Sequence, residues 1–284
     1  MNTPDPRSSD VTVVVSISGG KDSTALSLWL NEQGIEHRRV HADTGWEHTE
    51  HAAYMEYLAD KLGPIDVVGA ELKMASLIRK KGMFPGRLNR FCTDYLKVKP
   101  IAKYLERFDT ELINAVGIRA RESKARSKLP EWEFQKVFDC FVWRPLIQWT
   151  EQDVIDIHAR HEMKPNPLYL KGANRVGCWP CIFSRKKEVK MVADVSPERI
   201  SEIRELEEYV QMKASVRYAE RGETFESLGY SPPTFFSLGS NQMTRGIDDY
   251  VAWSRTSYGG KQIEMFDEPE DGCMRWGLCE TEDE

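Results

Sequence analysis

The residues best suited to chemistry lie at positions 18–23, which read Ser-Gly-Gly-Lys-Asp-Ser. Adjacent glycines tolerate positive φ angles, so successive backbone N–H groups can point toward one anion. Lys21 adds a positive charge to the same turn. The spacing differs from the Walker A motif, in which four residues separate the two glycines. A plain Gly-Gly turn would explain the glycines but not the polar residues around them, so the run predicts a phosphate-binding loop.

The segments on either side of this loop predict a strand and a helix that would position it. Residues 11–17 are mostly β-branched, as in a strand buried on both faces of a parallel sheet. Residues 24–30 place leucines and a tryptophan over two helical turns, and Gly34 is a suitable end for that helix. The positive end of the helix dipole would then face the bound anion.

A second polar cluster, Asp-Thr-Gly at residues 43–45, follows a predicted strand at residues 36–42. An Asp at the carboxyl end of a parallel strand can bind a ribose hydroxyl or a Mg²⁺ ion. A simple turn is the alternative interpretation. The alternation of strand and helix continues to about residue 69, which predicts a parallel sheet with right-handed crossovers.

A third cluster, Gly-Ile-Arg-Ala-Arg-Glu-Ser at residues 117–123, follows a predicted strand at residues 111–116. Guanidinium groups bind phosphate or sulfate oxygens through paired hydrogen bonds, so these arginines are candidate ligands of an anionic substrate. A solvated loop would explain the arginines but not the Gly-Ile-Arg order at this location.

These motifs resemble, in the same order along the chain, those of the PP-loop ATP pyrophosphatases. The run at residues 18–23 is similar to the PP-loop, which in that family holds pyrophosphate while ATP is cleaved between its α and β phosphates. The other two clusters resemble the branch that contains phosphoadenylylsulfate (PAPS) reductases, the small subunit of ATP sulfurylase and the sulfur-activating component of DNA phosphorothioation. The resemblance covers residues 11–190.

The resemblance implies a doubly wound, parallel α/β sheet of the adenine nucleotide alpha hydrolase type, which is Rossmann-like, with a C-terminal helical and cysteine-bearing extension. It implies catalytic roles for Lys21, Asp22 and Arg119, and a Mg²⁺ ion near Asp22 and Asp43. The residues implied to bind the nucleotide are Ser16, Ser18, Gly19, Gly20, Lys21, Asp22, Ser23, Asp43, Thr44, Gly45, Gly117, Arg119 and Arg121.

The six cysteines are too few and too unevenly spaced for a disulfide scaffold, so metal ligation is the favoured interpretation. A Cys-x-x-Cys turn presents two thiolates to one metal. In the family it resembles, a similar segment binds a four-iron cluster, which implies a 4Fe-4S cluster or zinc here. The expected ligands are Cys178, Cys181, Cys273 and Cys279, with Cys92 as an alternative. A redox pair, inert thiols and flexible tail thiols remain open.

Neighbouring charges and histidines refine this prediction. Basic residues at positions 185–187 are expected to lower the pKa values of the Cys-x-x-Cys thiols. Cys92 is either a thiolate activated by nearby cations or a buried, inert thiol, and Cys140 is expected in the core. His48 and His51 lie three residues apart, but no third ligand is evident, so surface or structural roles are favoured.

Charge is distributed unevenly. The net charge is -6, yet residues 264–284 contain nine acidic residues against one arginine, which leaves the rest near +2. Residues 79–128 hold fourteen Lys or Arg against five acidic residues. Such a block can bind nucleotide phosphates or a nucleic-acid backbone, and a solvated basic face is the alternative.

The predicted organisation is a disordered start at residues 1–10, the PP-loop domain at 11–195, a helical region at 196–263 and an acidic, cysteine-bearing tail at 264–284. No run of eighteen apolar residues and no secretory signal occur, which predicts a cytoplasmic protein without a membrane partner.

The function implied is adenylyl transfer from ATP to an acceptor that then receives sulfur, as in DNA phosphorothioation. The expected partners are ATP, a nucleic-acid acceptor and a sulfur donor protein such as a cysteine desulfurase, and an oligomer is compatible with this. One alternative is a PAPS or adenylylsulfate reductase or an ATP sulfurylase subunit. The intact Gly-Lys-Asp loop and the absence of a Glu-Cys-Gly-Leu-His tail count against a reductase. The other is a non-catalytic nucleotide-binding iron–sulfur regulator.

Overall fold

The computed structural model describes residues 3–236, 246–257 and 276. Its centre is a six-stranded sheet with the order β3-β2-β1-β4-β6-β5. All neighbouring strands are parallel except β5, which is antiparallel to β6. The strands are β1 (Val11–Ser16), β2 (His37–Asp43), β3 (Asp66–Gly69), β4 (Glu111–Ala115), β5 (Trp132–Gln135) and β6 (Cys140–Trp143). The predicted parallel α/β fold is confirmed.

Ten α-helices surround this sheet in the described residues, and two of them, the fourth and the seventh, are about one turn long. They are α1 (Lys21–Glu32), α2 (His51–Leu62), α3 (Met74–Lys81), α4 (Phe91–Thr93), α5 (Lys99–Leu105), α6 (Glu151–Arg160), α7 (Pro167–Leu170), α8 (Lys186–Val195), α9 (Pro197–Ala219) and α10 (Ile247–Ser254). A π-helical turn (Asp94–Val98) joins α4 to α5. No helix in these residues is long and apolar enough to cross a membrane.

The alternation of side chains along β1 explains why both faces of the sheet are covered. Val13 and Val15 pack in one apolar cluster with α1, α2 and α6. Val14 points to the other face and packs with Val40 and Ile101 of β2 and α5. A strand segment buried on both faces is apolar at successive positions, as Val13, Val14 and Val15 are at the centre of β1.

A third cluster holds the C-terminal helices against the segment that follows β2. It includes Trp46, residues of α3, and the buried faces of α8, α9 and α10. Glu207 of α9 lies inside this layer, and its carboxylate accepts the backbone N–H groups of Phe235 at 2.9 Å and Ile247 at 2.8 Å. The helical extension therefore packs onto the loops at the carboxyl end of β2.

Candidate nucleotide-binding site

The predicted phosphate loop connects β1 to α1, and its shape is set by glycine and serine. Gly19 has a φ of +71°, a left-handed conformation that favours glycine. Gly20 is the N-cap of α1 and has no side chain to cap the helix. Ser23 closes the turn, because its hydroxyl accepts the Ser18 N–H at 3.2 Å and lies 3.0 Å from the Gly20 carbonyl.

Two side chains from a distant segment around α7 form hydrogen bonds with the backbone of this loop. The Lys21 N–H donates to the hydroxyl of Tyr169 at 3.1 Å, and the Asn166 amide donates to the Gly19 carbonyl at 3.2 Å. Both side chains are buried, at 6% and 3% exposure. Neither residue was predicted to act at this site, because no local pattern links them to a loop almost 150 residues earlier.

The three residues predicted to be catalytic lie together. The Arg119 Nε atom is 2.5 Å from the carboxylate of Asp22, and the Lys21 Nζ atom is 3.2 Å from Glu151 and 3.8 Å from Asp22. Lys21 and Arg119 are 7% and 6% exposed. Cations this deeply buried interact strongly with an added anion, since the local dielectric is low. Glu151, at the start of α6, is a further site residue that the sequence analysis missed.

Gly117 places the arginine loop directly against the phosphate loop. A Cβ atom at Gly117 would lie 2.5 Å from the carbonyl oxygen of Asp22 and 2.9 Å from the backbone nitrogen of Ser23. These neighbours are backbone atoms at the start of α1, so they cannot rotate away. The glycine of the Gly-Ile-Arg motif is therefore required for close packing, and that packing brings Arg119 to Asp22.

Several arginines from separate segments lie near the Asp22–Arg119 pair. Burial first, and then the nearby charges of Arg175, Arg119 and Arg90, lower the pKa of Arg126. Arg126 also pairs with Glu122. Arg121, which was predicted to bind the nucleotide, is exposed. Cations from several segments thus lie near Asp22 at this edge of the sheet, a charge arrangement that would be complementary to a multiply charged anion.

The Asp-Thr-Gly turn is built differently from the expected magnesium site. The carboxylate of Asp43 accepts the Gly45 N–H at 2.8 Å and pairs with Lys73 at 2.5 Å. Burial alone would raise the pKa of Asp43, but these two hydrogen bonds outweigh it and lower the pKa. Thr44 is buried, and its hydroxyl donates to Glu47 at 2.5 Å. In the described residues Asp43 is thus paired with a cation, and Thr44 serves the turn itself.

Two histidines lie behind the glycines of the phosphate loop. His41 and His51 are both buried, and their Nε2 atoms are 3.4 Å apart. The His41 Nδ1 atom donates to the Ile17 carbonyl at 2.8 Å. A Cβ atom at Gly19 would lie 2.6 Å from the His51 ring, so this ring backs the loop. Burial lowers the pKa of His51 to about 4. The predicted structural role of His51 agrees with this placement.

The Cys-x-x-Cys segment is fastened to the loop after β2. The Trp179 N–H donates to the Trp46 carbonyl at 2.7 Å, and the Trp46 indole N–H donates to the Pro180 carbonyl at 3.0 Å. The indole N–H of Trp179 donates to Ser196 at 2.9 Å. Val176, at the start of this segment, has its carbonyl 3.6 Å from the position of a Cβ atom on Gly20. The cysteine segment therefore begins beside the phosphate loop.

The thiols differ from expectation in their acidity. Burial raises the pKa of Cys178, and the prediction that basic residues would lower it is wrong, because desolvation exceeds the effect of nearby Lys97. Burial, together with nearby Cys178, also raises the pKa of Cys92. This result favours the inert-thiol interpretation of Cys92. Cys140 is 4% exposed and lies in the core, as predicted.

Only some of the predicted metal ligands lie within the described residues. Cys92 and Cys178 are close enough to affect each other's ionisation, as are Cys178 and Cys181. Within residues 3–236, 246–257 and 276, however, no three His, Cys, Asp or Glu side chains converge in a way that could hold a metal ion. The other two expected ligands, Cys273 and Cys279, lie outside the described residues. The residues in view do not by themselves form a cluster or zinc site.

One residue of the C-terminal tail is seen at the nucleotide site. The Trp276 ring lies 5.8 Å from the ring of Tyr169 and 5.4 Å from that of His158. His158 is 1% exposed, and its Nδ1 atom donates to the Val154 carbonyl at 2.7 Å. Trp276 therefore lies against Tyr169, whose hydroxyl accepts the Lys21 N–H.

The chain is similar to several known proteins. The chain is 31% identical over 327 aligned positions to an uncharacterized 37.8 kDa protein of Escherichia phage 186, with 94% of this chain and 96% of that protein covered. It is 28% identical over 166 positions to an adenosine 5'-phosphosulfate reductase of Mesorhizobium japonicum, with 58% of this chain and 63% of that enzyme covered. A PAPS reductase structure from Candida auris in complex with phosphate aligns with a TM-score of 0.47 at 16% identity, and covers 59% of this chain and 81% of that one.

The family comparison covers more than half of the chain. Residues 12–184 match the phosphoadenosine phosphosulfate reductase domain, from β1 through the Cys-x-x-Cys segment. The matched region contains the phosphate loop, the Asp-Thr-Gly turn and the arginine loop. This chain belongs to the phosphoadenosine phosphosulfate reductase domain family.

Proposed function

We propose that this protein binds ATP with its β and γ phosphates at residues 18–23 and catalyses cleavage of the α–β bond. The observation that supports this most directly is the burial of Lys21 and Arg119 around Asp22 at the start of α1. In the proposed step an acceptor oxygen attacks the α phosphorus, the bond from that phosphorus to the bridging oxygen breaks, and pyrophosphate leaves. Lys21 and Arg119 stabilise the charge that accumulates on the leaving group.

The cations of the site can exchange their carboxylate partners for the phosphates of the substrate. Glu151 and Asp22 balance Lys21 before the nucleotide arrives, and phosphate oxygens then take over the ammonium and guanidinium groups. The carboxylates freed by this exchange, Asp22 first among them, are the residues that would hold Mg²⁺, which would neutralise phosphate charge.

We further propose that the acceptor is a nucleic acid. Sulfur from a donor protein such as a cysteine desulfurase, reduced to the sulfide level by a thiol, would then form a bond to the activated atom, and the bond from that atom to the adenylated oxygen would break so that AMP leaves. Exposed basic residues at the end of α3 and in the following loop support a nucleic-acid acceptor. The side chains in this strip are Arg79, Lys80, Lys81, Arg87 and Arg90. Arg90 is close enough to Arg126 to affect its pKa, so the strip leads into the cation cluster beside Asp22.

Pyrophosphate release from ATP, measured with and without nucleic acid, tests the proposed activity. We expect Lys21→Met to reduce release by about 100- to 1,000-fold, because it removes a buried cation from the leaving group. Lys61→Met, which changes an exposed lysine on α2, is the matched control and should leave release unchanged. No pyrophosphate from the wild-type protein under any condition, with ATP binding intact, would instead support a nucleotide-binding regulator.

A second candidate is reduction of adenylylsulfate. The similarity to the Mesorhizobium japonicum enzyme favours it, and the arginine cluster would suit a sulfate group as well as a phosphate group. Sulfite production from adenylylsulfate with a thiol reductant separates it from the first proposal. Sulfite without pyrophosphate release from ATP would overturn the adenylyl-transfer proposal.

A further inference from the structure

An exposed aromatic ring lies just beyond the Cys-x-x-Cys segment. The Ser184 N–H donates to the Cys181 carbonyl at 2.8 Å, which closes a turn that contains Ile182 and Phe183. Ile182 packs against the third cluster, whereas Phe183 belongs to none of the three apolar clusters in the described residues and is 39% exposed. The turn therefore presents an aromatic side chain to solvent beside the cysteines.

A cation from another segment lies over this ring. The guanidinium carbon of Arg90 is 5.3 Å from the centre of the Phe183 ring. Arg90 precedes α4 and is itself exposed. A guanidinium group at this distance is attracted to the electron-rich face of the ring. The two side chains thus form a flat, positively charged surface that no single segment provides.

The loop that carries Arg90 adds apolar and basic surface to this pair. Leu88 is 104% exposed, the highest value among the large apolar side chains in the described part of the chain. The Gly86 N–H donates to the Asn89 carbonyl at 3.0 Å, so a backbone hydrogen bond holds the turn on which Leu88 lies. Arg87 is also exposed. Isolated exposed apolar residues are common, but here they are interleaved with arginines.

Arg90 also connects this surface with the nucleotide site. It is close enough to Arg126 to affect its ionisation, and Arg126 pairs with Glu122 of the arginine loop. It is also close enough to Cys92 to affect the ionisation of that thiol. A chain bound across Phe183 and Arg90 would therefore lie beside both the cation cluster and the cysteine segment.

Single-stranded nucleic acid fits both properties of this surface. Its phosphates are complementary to exposed arginines, and residues 79–128 hold fourteen Lys or Arg against five acidic residues. Cations alone would suffice for a duplex, whose bases stack on one another. An exposed aromatic ring offers a face to an unpaired base, and proteins that bind single strands combine such rings with basic side chains.

From these contacts we infer that Phe183 and Arg90 form a stacking platform for an unpaired base, so that the nucleic acid bound here is single-stranded. Leu88 offers an apolar contact to a neighbouring base, and Arg87 contacts phosphate. This inference rests on the proposed function for the class of acceptor, but it concerns binding and needs no cleavage of ATP.

Fluorescence anisotropy with a labelled strand of about 16 nucleotides, and with the duplex of the same sequence, tests the stacking platform. We expect the wild-type protein to bind the single strand more tightly by about fivefold or more, because only its bases are free to stack. Phe183→Leu keeps an apolar side chain but removes the ring. It should weaken single-strand binding by about 5- to 100-fold and leave duplex binding unchanged. Phe183→Tyr, which keeps a ring, should retain the wild-type affinity.

Phe134→Leu is the matched control. Phe134 is also 39% exposed, but it lies on β5 at the edge of the sheet. The change should therefore leave the affinities for single strand and duplex unchanged. Circular dichroism verifies the fold of each variant.

The outcomes separate this inference from the proposed function. A folded Phe183→Leu protein that loses affinity for strand and duplex equally, or for neither, overturns the stacking platform whether or not ATP is cleaved. Binding of polyglutamate without binding of either oligonucleotide also overturns it, and assigns the surface to an acidic protein partner. Selective weakening by Phe183→Leu without any pyrophosphate release from wild-type protein retains the platform and overturns the cleavage proposal.

Discussion

The phosphate loop and the cysteine segment lie side by side, but they are stabilised in different ways. The phosphate loop contains Lys21 and lies against Arg119 of the arginine loop, and both cations are already paired with carboxylates. The cysteine segment is held by tryptophans and backbone hydrogen bonds, and burial raises the pKa of Cys178. Buried, paired cations thus characterise one region, and in the other burial favours the protonated form of Cys178. Four substitutions or titrations can test this difference.

The largest expected effect comes from a methyl group at Gly117. In Gly117→Ala the new Cβ atom would overlap the carbonyl of Asp22, so the arginine loop and the start of α1 must separate. We expect the free energy of unfolding to fall by about 3 kcal/mol and ATP binding to be lost.

Gly86→Ala is the matched control, since a Cβ atom there meets nothing within 4 Å. Calorimetry with ATP and chemical denaturation measure the two effects. Normal ATP binding by Gly117→Ala would show that the two loops do not depend on each other.

The two regions should also lose stability at opposite ends of the pH scale. Burial lowers the pKa of His51 and of His158 to about 4, so the unfolded chain takes up protons below pH 6.5 while the folded protein does not until about pH 4. Stability therefore falls as the pH drops from 6.5 to 4, by on the order of 2 kcal/mol for His158.

The Cys178 thiol affects the free energy of unfolding at alkaline pH. Because the pKa of Cys178 is raised above its ordinary value of 9.0, its contribution is complete below pH 9 and is lost as the pH rises further. Chemical denaturation at a series of pH values measures the loss of stability in both pH ranges. His158→Gln should reduce only the loss between pH 6.5 and 4. An unchanged loss in that range would show that His158 does not cause it.

A smaller effect is expected from Tyr169→Phe. The change removes the hydroxyl that accepts the Lys21 N–H, so a buried donor loses its partner. We expect a loss of about 1.5 kcal/mol in unfolding free energy and about a fivefold weaker ATP affinity. Tyr230→Phe, at a ring that is 61% exposed, is the control. Tighter ATP binding in Tyr169→Phe would mean that this N–H is released to the phosphates instead.

The smallest effect should come from the cysteine side. Ser196→Ala removes the acceptor of the Trp179 indole N–H and should cost about 1 kcal/mol of stability. Alkylation of the Cys178 thiol should become faster because its segment opens more often, while ATP affinity stays the same. A parallel loss of ATP affinity would show that the cysteine segment and the phosphate loop are one unit.

The sequence predicted what depends on local patterns. Burial of β1, the helix after residue 20 and the approach of Arg119 to Asp22 all follow from motifs at the ends of parallel strands. What it missed depends on tertiary contacts. Tyr169 and Asn166 reach the loop from far along the chain. The predicted low pKa of Cys178 was wrong for the same reason, because basic residues nearby in the sequence do not indicate how deeply a thiol is buried.

Synthesis of the protein is affected by the hydrogen bonds that Asn166 and Tyr169 form with the backbone of Gly19 and Lys21. A chain emerging from the ribosome presents residues 18–23 early, yet the two side chains that fix their backbone are made almost 150 residues later. The growing chain must therefore pass Tyr169 before residues 18–23 can reach their final backbone conformation, and no shorter nascent fragment can contain the completed loop.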